Sequence, residues 1–90
     1  MEDISLARLE RIARNIITDR LRMERVEGDF GIIYLAHGTN ADGNIVGLWG
    51  YRDKARDIEF KEDTSLEDVR QVLINDASGL MELLDEKGLI

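Results

Sequence analysis

"FGIIYLAHGTNADGNIVGLWGY", residues 30–51, holds the key to the fold. It divides into two runs rich in β-branched and aromatic residues, "FGIIYLAH" (30–37) and "NIVGLWGY" (44–51), with turn residues between them. Such side chains suit a pleated surface, and Asp-Gly between apolar runs marks a hairpin because a tight turn needs residues that tolerate positive φ. The same turn contains Asn40, Asp42, Gly43, Asn44 and Ile45 at the spacing of the middle of a helix-loop-helix calcium loop. In that register Gly38 and Trp49 fall where the first and last ligands belong, and strands rather than helices flank the loop. A hairpin turn is therefore the expected reading of "NADGN".

Both faces of the hairpin are apolar. Phe30, Ile32 and Tyr34 alternate with Ile33 and Leu35, and Ile45, Trp49 and Tyr51 oppose Val46 and Leu48. Either helices of the chain cover the sheet on opposite sides, or one face meets a partner, since large exposed apolar patches mark interaction sites. Gly47 and Gly50 flank Trp49 within the strand, which predicts a bulge or a close approach by another backbone.

Outward from the hairpin, Leu6, Leu9, Ile12, Ala13, Ile16 and Ile17 recur at three- and four-residue spacing, predicting a helix from Ser5 to about Met23. On the other side, "DIEFK" (57–61) alternates Ile58 and Phe60 with charges, as a strand with one wet face would. Thr64 then stands three residues before Glu67, a capping box. Leu66, Val69, Leu73, Ala77, Leu80 and Leu84 form one stripe that runs through Gly79, so a single second helix is expected, with Gly88 as its C-terminal cap and Leu89 folded back on the last turn. The fold class that results is α+β in the order α-β-β-β-α, an antiparallel β-meander with two amphipathic helices, packed most simply on one face. Ninety residues without a linker, repeat or low-complexity tract make residues 1–90 a single α+β domain.

The net charge of −7 is unevenly placed. Residues 1–56 carry nine acids and nine bases, whereas residues 57–90 carry ten acids against Lys61, Arg70 and Lys87. No run of apolar residues is long enough to span a membrane, no signal-like leader is present, and there is no cysteine, so a cytoplasmic protein without disulfides is expected.

On a helical wheel, the outer face of the first helix gathers Arg8, Arg11, Arg14, Asn15, Thr18, Arg22 and Arg25. That of the second gathers Glu67, Asp68, Gln71, Asn75, Ser78, Glu82, Asp85 and Glu86. Exposed ion pairs contribute only about 0–1 kcal/mol each, so such faces are often merely solvated; complete segregation of sign nevertheless suits steered association. Catalysis is not expected. His37 is the sole histidine, no nucleophile has a visible base, Ser5, Ser65 and Ser78 are explained by capping or solvent, and no glycine pattern opens a helix as a phosphate loop does.

The sequence thus predicts a small non-enzymatic protein-interaction or regulatory domain whose partner is another protein or itself as a homodimer. Contact would come from an apolar sheet face and the complementary helix faces, with Arg11, Arg14, Arg22, Arg25, Trp49 and Tyr51 as the interaction residues. The alternative is a calcium or other divalent-cation binder using clustered carboxylates, namely Asp42, Glu62, Asp63, Glu67 and Asp68; no other cofactor is implied. Nucleic-acid binding through the Arg face is a third reading, opposed by the overall negative charge.

Overall fold

Helix α1 (Ile4–Ile16) ends where Ile16, Ile17 and Thr18 set three β-branched residues in a row. Such side chains lose χ1 freedom against the preceding helical turn, which favours an exit into extended backbone. The computed structural model describes residues 4–28, 31–51 and 54–88. Among these, α1 is followed by β1 (Asp19–Gly28), β2 (Gly31–Thr39), β3 (Ile45–Tyr51), β4 (Lys54–Phe60) and α2 (Leu66–Glu86). The four strands form one antiparallel meander in the order β1-β2-β3-β4. Phe30 and Leu89, and the side chains of Ser5, Leu84 and Asp85, lie outside the described residues.

The α+β meander with two amphipathic helices is the architecture, with one strand more than the sequence suggested. The segment expected to continue the first helix to Met23 is instead β1. Ile17 N–H closes the last helical bond to the Ala13 carbonyl at 2.7 Å, and Thr18 N–H already donates to the Thr39 carbonyl of β2 at 2.9 Å. Two residues therefore suffice to turn helix into strand. Pairing of β1 with β2 is irregular between Asp19 and Arg22, and Arg20 sits there in the left-handed region at φ 59°. Gly38 makes this junction possible: a Cβ on it would strike the Ile17 side chain and come within 2.7 Å of the Asp19 carbonyl oxygen.

The helices cover opposite faces of the sheet, not one face. Ile33, Leu35, Trp49 and Tyr51 meet Val69, Leu73, Ala77 and Met81 of α2. Their strand neighbours Tyr34, Ala36, Val46 and Leu48 point the other way, onto Leu9 and Ala13 of α1 and Ile17 just beyond it. An apolar sheet with both faces to bury needs a cover on each, and the chain supplies both itself; full burial of each Leu, Ile or Val contributes roughly 1.5–3 kcal/mol. The glycines beside Trp49 serve this packing. The register of β3 is unbroken, so neither makes a bulge, and the approach is by side chains rather than backbone: Leu73 of α2 and Phe60 of β4 crowd Gly47, and Leu9 of α1 lies against Gly50.

The second helix runs through Gly79 without a break. Its cap is Ser65 rather than Thr64. The Ser65 hydroxyl accepts the Asp68 N–H at 3.1 Å and its carbonyl takes the first helical bond, from Val69 N–H, at 3.0 Å. At the other end Gly88 adopts φ 70°, the left-handed cap its position implied.

Candidate interaction faces

Because α1 and α2 lie on opposite sides of the sheet, their outer faces point away from each other. With Leu9 and Ala13 buried, α1 presents Arg8, Arg11 and Arg14 to solvent. Arg14 has Glu10 at 3.9 Å one turn back, and Arg11 forms no ion pair among the described residues. On α2, Val69, Leu73, Ala77 and Met81 turn inward and Glu67, Asp68, Gln71, Asn75, Glu82 and Glu86 are exposed. Two apolar side chains flank this acidic face, Val72 at 42% and Leu83 at 46% exposure. They fall off the Leu73 stripe, and that offset was readable in their numbering. Arg70, on the opposite flank, is drawn away to β1, where its Nε donates to both carboxylate oxygens of Glu24.

The basic face is shorter than the sequence suggested. Thr18, Arg22 and Arg25 are not on a helix: Arg22 and Arg25 belong to β1, where alternation sends them to opposite faces of the sheet. Arg25 is exposed and has Glu27 at 3.7 Å. Trp49 and Tyr51 are buried at 1% and 4% exposure, so they stabilise the core and present no surface. The indole Nε1–H of Trp49 donates to Asp76 Oδ2, which also has Arg56 Nε at 3.5 Å.

The 40–44 loop is a closed turn. Asn40 Oδ1 accepts the N–H of Asp42 at 3.0 Å and of Asn44 at 2.9 Å, Gly43 N–H donates to the Asn40 carbonyl at 3.0 Å, and Gly43 has φ 84°. The side-chain amides of Asn40 and Asn44 both donate to Glu59 Oε2, at 3.2 and 2.7 Å. Asn40 and Asn44 thus aim N–H groups, not oxygens, at the Glu59 carboxylate, an arrangement suited to holding a hairpin. Asp42, Glu62, Asp63, Glu67 and Asp68 are all exposed, and among the described residues no three acidic or histidine side chains converge on a point where a metal ion could sit.

Among the described residues no helix is long and apolar enough to cross a membrane. No family model, curated protein or solved structure matches the chain, so its chemistry has to be read from these faces alone.

Proposed function

We propose that this chain is a non-enzymatic interaction module that associates through the oppositely charged outer faces of its helices, with a second copy of itself as a partner that fits both. The observation supporting this is the placement of a basic helix face and an acidic helix face on opposite sides of one thin sheet. In this reading that placement favours a head-to-tail contact. A two-fold dimer uses the same patch on both copies and would set like charge against like, whereas a head-to-tail contact sets α1 of one copy on α2 of the next. Such contacts repeat, giving rings or filaments instead of a closed pair. In this reading the second copy is met head to tail rather than across a two-fold axis.

Affinity is expected to be low. The 13 residues of α1 extend for only about 20 Å, and charged faces raise on-rates and selectivity more than they raise affinity. Val72 and Leu83 supply the apolar contact beside the acids.

Sedimentation velocity at low and high sodium chloride tests the reading. Concentration-dependent growth in mass at low salt, lost at high salt, is the expected result. Arg11→Glu with Arg14→Glu should remove it, as should Glu82→Arg with Glu86→Arg, and mixing the two variants should restore it because each then offers what the other lacks. A monomer at all concentrations in low salt, or assembly indifferent to both charge reversals, would refute the proposal.

A further inference from the structure

The irregular start of β1, between Asp19 and Arg22, opens onto a feature that the helix faces do not explain. An open cleft of about 850 Å³ lies at this end of the sheet. His37 and Thr39 are part of it, on the strand face where Ile33 and Leu35 meet α2 farther along, and Ile45 lies beside them. Arg20, Leu21 and Arg22 of β1 form one side, and Thr64 and Leu66, at the start of α2, form the other.

The electrostatics of the cleft differ from those of the whole molecule. In a chain of net charge −7, Arg20 and Arg22 stand at this cleft without an ion pair among the described residues. Glu24, the carboxylate whose field reaches His37, is already held by Arg70. Burial keeps His37 below its ordinary pKa, so at neutral pH its ring serves as a neutral hydrogen-bonding group. The backbone also favours this arrangement at a cost. Arg20 is a non-glycine residue at φ 59°, a region such residues rarely adopt, and backbone irregularities that re-aim side chains are typical of functional edges. Leu66, 60% exposed, and Ile45 give the cleft an apolar portion next to its cationic one.

We propose that this cleft binds a small organic anion, its charged group held between Arg20 and Arg22 and its apolar body resting on Ile45 and Leu66. Guanidinium groups suit phosphate or carboxylate oxygens through paired N–H donors, and Thr64 lines the cleft with a further hydroxyl, whereas the Thr39 hydroxyl donates to the Asp19 carbonyl at 3.3 Å. The cleft has room for more than a bare ion, and binding sites combine apolar walls with a few convergent polar groups. None of the residues reversed to test the helix faces lines it, so the two readings fail independently.

The test is a ¹H–¹⁵N NMR titration of the full chain, at fixed ionic strength, with phenyl phosphate, benzoate and the neutral benzyl alcohol. The expected result is saturable shifts from at least one anion at the amides of residues 20–22, 37–39 and 64–66, with none from the alcohol. Preference for phenyl phosphate would identify phosphate esters as the ligand class, and preference for benzoate would identify carboxylates. Arg22→Glu should weaken binding by about tenfold or more. Arg20→Gly removes the second guanidinium while leaving a residue at ease at positive φ, so its loss of affinity cannot be attributed to misfolding. Absence of saturable shifts with both anions, equal binding of the alcohol, or affinity unchanged in both variants would overturn the proposal.

Discussion

The indole Nε1–H of Trp49 donates to Asp76 Oδ2 at 2.7 Å, tying β3 to α2 through the largest side chain of the core. Removing the acceptor leaves a buried donor unsatisfied, which costs about 1–3 kcal/mol. Asp76→Ala should therefore lower stability by that amount, while Asp76→Asn, which keeps an oxygen, should lose less. Arg56→Ala should cost under about 1 kcal/mol, because the Arg56 side chain is 59% exposed and lies 3.5 Å from Asp76. Urea unfolding followed by the fluorescence of Trp49, the sole tryptophan, measures all three.

Three glycine-to-alanine changes should differ in sign. At Gly47 a Cβ would lie 2.8 Å from Leu73 Cδ1 and 3.2 Å from Phe60, overpacking worth about 1–3 kcal/mol. At Gly38 the obstacle includes backbone oxygens, which cannot rotate away, so the loss should be larger than at Gly47. At Gly79 nothing lies within 4 Å and the helix is continuous, so alanine should stabilise by about 0.5–1 kcal/mol. Thermal melts of the three variants give the ordering.

Desolvation lowers the pKa of His37 below 6.5; the field of Glu24 opposes this and that of Arg22 adds to it. The unfolded chain then binds its proton more readily than the folded one, so unfolding takes up a proton as pH falls. This contribution to stability is complete above pH 6.5 and is lost as pH falls toward the folded pKa. His37→Asn should flatten the dependence of unfolding free energy on pH in that window, measured by urea titration at several pH values.

The Asn40 side chain accepts two backbone N–H groups and donates to Glu59, so Asn40→Ala should destabilise by about 1–2 kcal/mol. Millimolar calcium should leave the melting temperature of the native protein where sodium chloride of equal ionic strength leaves it. A rise specific to calcium would show that the folded protein binds it.

The hairpin, the second helix through Gly79 and the wet face of the last strand were legible because each rests on a local signal: alternation, turn chemistry, or an apolar stripe closed by caps. The strand β1 was not. Arg22 and Arg25 happen to continue the helical spacing of Arg11 and Arg14, no glycine or proline separates Ile16 from Asp19, and the β-branched run at 16–18 was the only warning. Pairing with β2 outweighs that local pattern, and it takes Arg22 to the cleft. The cleft itself was invisible beforehand, because it depends on Arg20, His37 and Leu66 meeting across three elements. Charge segregation between the helices was readable from spacing alone, but its orientation required knowing that each helix takes its own side of the sheet.

That arrangement also sets an order of events during synthesis. The residues that close one face of the sheet, Val69 to Met81, are translated after the strands they cover. At about 5–20 residues per second the face bearing Trp49 waits a few seconds for its lid. Through that interval the nascent chain is an open sheet with one oily side, and the charges spaced along β1 and β4, Arg22, Arg25, Lys54 and Arg56 among them, guard its two edges against zipping onto a neighbour.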